Sequence, residues 1–509
     1  MPVSPPPRAE STLPRRGGDL VSRSLATGRL GVPGVVIFVL SAATPLTVAA
    51  GVVTTGLAAT GLVGIPIAFV AVGLMLGAFA VGYTAMSTHL THAGALYAYI
   101  ARGLGRPIGV GAAWLALVAY LCLAVGLYGG VGAAGVPLLE QWAHLSPPWW
   151  ALALVAWALT AAMGVARVDL SSRLLAVLLV AEVSLIVLYT VANLARPAPG
   201  LTPDEAVASL RLGQLLEPGA GALLVIAVLG FIGFEATVVF SEEARDRRRT
   251  VPLATFAAIA ITCLLYAMAS WGVILAAGPD QVVDQARELG PELFFNLASA
   301  RIGSLVADVG HVLFLTSIVA ALVSFHATLA RYAFALGREQ VLSSWLGRTS
   351  VRTGAPIAAS LLQSAIGLAV IVIHAVVGWD PLTQLFFLFG AAGGYGVLIL
   401  LTLCSIAILR FFFANRQGHS RWTAFAAPCA ATVLLGVTMV LATANLPTLL
   451  GVATGDPLVQ VLPAVAIGAL ALGTCWGLIL RARRPQAYAA VGLGDVAAIP
   501  TASSSGAWS

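Results

Sequence analysis

Two glutamates lie inside apolar runs, where a carboxylate is costly and faces a protein interior or a water-filled path. Glu182 is centred in the stretch 172–194, and Glu235 follows directly on Gly230-Phe231-Ile232-Gly233-Phe234. A carboxyl group held away from bulk water can take up and release a proton, so Glu182 is the proton-coupling candidate. Glu235 has two readings, a contact for a substrate ammonium or a structural cap on the second half-helix that follows the break. A third feature is Ser41-Ala42-Ala43-Thr44-Pro45, in the middle of another apolar run. Proline lacks an N–H and clashes with the preceding turn, yet it suits the first position of a new helix. Thr44-Pro45 therefore predicts the start of a half-helix whose N–H groups and positive dipole end suit a carboxylate. The chain around 229–232 ends another half-helix, whose carbonyls suit an ammonium. Together they describe a zwitterionic amino acid or a related amine. Ser41, Ala42, Ala43, Thr44, Pro45, Phe231, Gly233, Phe234 and Glu235 are the substrate-site candidates, with Tyr120 reaching in from a further run. Phe231 and Phe234 serve equally as pocket walls or as core.

The elements that must position these residues are long. The chain has 509 residues, of which 59% are hydrophobic and 9% charged. No soluble domain can cover itself with so few polar side chains. Apolar runs long enough to cross a bilayer recur, which predicts an all-α polytopic membrane protein of about 12 helices. The expected spans are 31–57, 62–86, 107–138, 148–166, 172–194, 219–241, 252–277, 303–330, 356–378, 383–409, 422–446 and 458–480. Segments 1–30 and 485–509 read as disordered cytoplasmic tails. The broken runs are the first and the sixth. Each repeat would hold an odd number of spans, five, so the first and the sixth cross in opposite senses and their breaks meet near mid-membrane. This is the pattern of a five-plus-five inverted-repeat transporter core, with repeats at 31–194 and 219–409 and two additional helices at 422–480.

The formal net charge of +6 does not indicate nucleic acid, because all 27 basic residues are arginines and they cluster at span ends. By this span assignment 23 of them fall on one side, including Arg245, Arg247, Arg248 and Arg249. That bias predicts both termini in the cytoplasm, and the lack of lysine fits a bacterial inner membrane. Five cysteines stand singly, with no metal spacing. GLGRPIG at Gly103 has one residue too many for a dinucleotide turn, and no GxxxxGK[ST], HExxH or GxSxG occurs. No enzyme activity, metal or cofactor is expected.

Three stretches carry a resemblance. They are GFE followed by SEEARDRRRTVP at 233–252, HAGALYAYIARGLGRPIGVGAAW at 92–114, and SFHATLARYAFALGREQVLSSWLGRTSVRTGAP at 324–356. In this order and across both halves, the chain resembles the amino acid–polyamine–organocation superfamily of permeases. The resemblance implies a secondary active transporter working by alternating access, coupled to a proton in preference to sodium, or exchanging. Proton-coupled members carry an ionisable group on span five, the position of Glu182. One departure is clear: many members have a glycine-rich break in span one, where this chain has Ser41-Ala42-Ala43-Thr44-Pro45.

Other polar residues have blander readings. Asp308 and His311 share a helix face near the end of span eight. Arg331 is expected to snorkel near His326, and Ser317 and Ser324 are the positions a sodium site would use. The alternatives are a transporter of another small organic solute on the same fold, and a receptor or structural subunit without transport. A major-facilitator carrier would carry a long loop between spans six and seven, where this chain has about ten residues.

Overall fold

The computed structural model describes residues 21–22, 28–90, 94–166, 168–416 and 418–493. Most of both expected tails lies outside these residues. Within them, Val21–Ser22 pairs antiparallel with Thr349–Ser350, and Pro485–Ala490 forms a short helix where no order was expected.

The described chain is otherwise helical. Eleven helices are long and apolar enough to cross a membrane, and Trp149–Val165 is a shorter apolar twelfth. Numbered in chain order, they begin and end close to the expected limits. Spans one to three are Val32–Thr60, Ile65–Ser87 and Arg106–Ala143. Span four is Trp149–Val165, and span five is the helix Val168–Ala195. Span six begins at Ala220, and span seven covers Arg247–Ala277. Spans eight to twelve are Ser304–Arg338, Ile357–Val377, Pro381–Ala414, Trp422–Ala444 and Leu458–Arg483. Large apolar side chains such as Val155, Val177, Leu264, Val376 and Val440 point outward, as lipid-facing surface requires. Between spans seven and eight, where no helix was expected, Val282–Leu289 and Glu292–Ile302 form two short ones.

Span one is helical over Val32–Ala42, pauses at Ala43 and Thr44, and resumes at Pro45. Thr44 adopts φ 46°, ψ 64°, a left-handed conformation that costs a side-chain-bearing residue about 1–2 kcal/mol. The following proline disfavours the right-handed α region for Thr44, so the helix is interrupted there.

Span six is an α-helix only over Ala220–Leu229. The expected second half-helix does not form. From Gly230 to Glu243 the chain winds through single turns whose N–H groups reach carbonyls three residues back, among them Phe231 to Val228 at 3.0 Å and Val239 to Ala236 at 2.9 Å. These tighter turns supply much of the pairing that an α-helix would otherwise give.

Span two packs on seven, three on eight, four on nine, and the span-one helix on the turns of six. Span twelve lies against span three at close range: a β-carbon at Gly111 would sit 2.5 Å from the Leu470 carbonyl oxygen. Small residues let two helices meet backbone to backbone in this way.

Candidate functional site

The breaks of spans one and six touch. Gly233 adopts φ 116°, and a β-carbon there would lie 2.9 Å from the Ala42 β-carbon. Only glycine satisfies both the positive φ and the close approach.

Each break is held by a buried glutamate. Glu235 is fully buried. One carboxylate oxygen accepts the Gly233 N–H at 2.9 Å, and the other accepts the Tyr120 hydroxyl of span three at 2.6 Å. Tyr83 donates to the Glu235 carbonyl at 2.7 Å. Glu235 thus closes the loop it follows, and Tyr120 reaches Glu235 rather than the cavity described below. Phe231 packs between Phe69 and Tyr266, and Phe234 meets Phe79 edge-on.

Glu182 is not isolated. Its Oε1 accepts the backbone N–H of Leu46 and, at 2.7 Å, the Ser317 hydroxyl of span eight. Leu46 is the second residue of the helix that restarts at Pro45. The carboxylate expected at that helix start is therefore supplied by the protein itself. Tyr266 of span seven donates to the Ala43 carbonyl at 3.1 Å, completing the break. Among the described residues, the buried hydroxyls of Ser41 and Ser324 have no partner.

A cavity of about 940 Å³ lies against these breaks. Ala42, Ala43 and Thr44 line its inner end together with Ile232 and Phe325. Its other end is lined by Glu292, Ser304, Asp308, His311 and Thr448, on the arginine-poor side of the bundle. Of the substrate-site candidates, then, Ala42, Ala43 and Thr44 face the cavity. Ser41, Pro45, Tyr120, Phe231, Gly233, Phe234 and Glu235 stand behind its wall and shape it. His311 bonds Glu292 at 2.9 Å and packs on Phe295, so its partner is not the neighbouring Asp308.

On the arginine-rich side the path is closed by groups that the sequence reading missed. Arg331 and Arg338 are seven apart on span eight and face the span-six turns. Arg331 holds both carboxylate oxygens of Glu243, one of them at 3.0 Å, and Arg338 holds those of Glu242 at 2.8 and 2.7 Å. Arg331 does not snorkel: its side chain is 5% exposed and its guanidinium lies 4.6 Å over the Phe240 ring. Phe240 in turn stacks on Phe38 at 4.7 Å. His326 bonds Ser360 at 2.8 Å instead of meeting Arg331. Just before span one, the N–H groups of Arg29 and Leu30 both reach the Glu243 carbonyl at 3.0 Å. The available signal was the pair Glu242-Glu243 together with two arginines at a two-turn interval.

Residues 30–470 match the family model described as amino acid permease. The chain is also similar to an uncharacterized transporter of Mycobacterium bovis and to two uncharacterized transporters of Mycobacterium tuberculosis, each 29% identical over 152 residues. That stretch is 29% of this chain and 32% of each relative, so the match spans about a third of the relatives' length. Since the family match covers most of the chain and both broken spans, this protein belongs to the amino acid permease family.

Proposed function

We propose that this protein is a secondary active transporter that carries an amino acid or a related amine across the membrane by alternating access. The observation that carries the reading is one cavity ending at two abutting helix breaks, with buried ion pairs sealing the far side. A bundle closed at one end and hollow at the other is one of the two states that such a cycle requires. Breaking Arg331–Glu243 and Arg338–Glu242 while collapsing the mouth around His311 and Glu292 would produce the other.

The arginine bias supports an orientation with both termini in the cytoplasm, and a bacterial inner membrane is the location we favour. The cavity then faces outward. Glu182 touches span one and span eight at once, so a proton arriving there would alter the contact between them. A proton is therefore the coupling ion we favour, with exchange of two substrates as the other mode. Uptake into liposomes by the purified protein tests the reading, using labelled amino acids and amines with and without an inward proton gradient. Gradient-driven accumulation supports proton-coupled uptake, and counterflow into preloaded vesicles supports exchange. Absence of both across the panel would sink the amino acid and amine reading and leave another organic solute as the cargo.

A further inference from the structure

We propose that the cavity selects an organic amine lacking a carboxylate group, because Glu182 already fills the place where a substrate carboxylate would be read. The proposal rests on the transport reading above and narrows it.

The helix that restarts at Pro45 has few N–H groups to give. Pro45 has none, the Thr44 N–H points back to the Ser41 carbonyl at 3.4 Å, and the Leu46 N–H is held by Glu182. Among the described residues these bonds leave the Thr47 N–H alone at that helix start. A carboxylate needs several donors to replace its water. No arginine or lysine lines the cavity, so apart from His311 only neutral donors such as Gln141, Asn296, Ser299 and Ser304 stand in for them.

A cation meets the opposite situation. The titratable groups on the cavity wall are Glu292, Asp308 and His311. Glu292 is paired with His311, whereas Asp308 forms no ion pair among the described residues. Phe295, Phe314, Phe325, Phe386 and Phe387 also line the wall, and the face of an aromatic ring attracts an ammonium. Two carboxylates, a set of phenyl rings and no fixed cation suit an amine with an apolar body. They leave a zwitterion with one unmatched end.

The test uses full-length protein in lipid nanodiscs and matched pairs that differ by the carboxylate: phenethylamine with phenylalanine, tyramine with tyrosine, putrescine with ornithine, agmatine with arginine. In each pair that binds, the amine should bind about tenfold tighter or better, the discrimination expected when a charged group finds no partner. Equal or tighter binding of the amino acids overturns the proposal and leaves the transport reading standing. Binding of neither member in any pair overturns both. Glu182→Ala frees the Leu46 N–H and should narrow the amine preference about tenfold, whereas Glu182→Gln, which keeps an acceptor there, should retain it. An unchanged ratio in a folded Glu182→Ala protein overturns the proposal. Should that variant fail to fold, Asp308→Asn supplies the test from the cavity wall. It should weaken amine binding about tenfold, because the ammonium loses its unpaired carboxylate; unweakened amine binding counts against the proposal.

Discussion

Arg331 of span eight grips both carboxylate oxygens of Glu243, and the two side chains are 5% and 2% exposed. Two charges removed from water in this way stabilise little relative to an apolar pair, but stranding one of them is costly. Glu243→Gln should lower stability by about 3–5 kcal/mol, read as a lower thermal midpoint in detergent. The double variant Glu243→Leu/Arg331→Met should recover most of that loss while abolishing transport. A double variant no more stable than the single one would show that the pair does more than match charge.

The Tyr120 hydroxyl is tied to the Glu235 carboxylate. Tyr120→Phe should cost about 1–3 kcal/mol, the penalty for leaving a buried acceptor short of a partner. Substrate affinity should fall with it, since Glu235 then holds the Gly233 loop less firmly. Wild-type stability together with wild-type binding would remove Tyr120 from the account.

Gly233 combines φ 116° with a wall 2.9 Å from where a side chain would begin. Gly233→Ala should cost about 1–3 kcal/mol and depress uptake, and Gly233→Leu should abolish it. Normal uptake by Gly233→Leu in protein that reaches the membrane would argue against the contact between the two breaks.

Thr44 occupies the left-handed region without being a glycine. Thr44→Gly should therefore stabilise the protein or leave it unchanged, and Thr44→Val should destabilise it by about 1–2 kcal/mol. Thermal melts of the two variants check the order, and the reverse order would contradict the turn at Thr44.

Glu182 bridges the Leu46 N–H and Ser317. Glu182→Gln preserves much of this shape but cannot carry a proton. Uptake by this variant should become independent of external pH, while counterflow at fixed pH survives. Retained pH dependence would assign the coupling proton elsewhere and leave Glu182 with its role at span one.

Much of the architecture is written locally. A run of apolar residues long enough to cross a bilayer can satisfy its backbone only as a helix, so spans such as Ile357–Val377 and Leu458–Arg483 were legible to within a few residues. Pro45, Gly230 and Gly233 marked the broken spans for the same reason: each acts on its own backbone whatever surrounds it. Only the tertiary structure decided which groups meet. The sequence alone does not say that Glu182 caps Leu46, that Tyr120 serves Glu235, or that Glu242 and Glu243 find Arg338 and Arg331. Those pairs are separated by about 90 residues or more, and their encounter depends on how the helices pack and rotate. The same holds for the cavity, whose wall draws residues from at least five helices. Backbone hydrogen bonding fixes each helix within its own segment, whereas the site is fixed by side chains that become neighbours only once the bundle has closed.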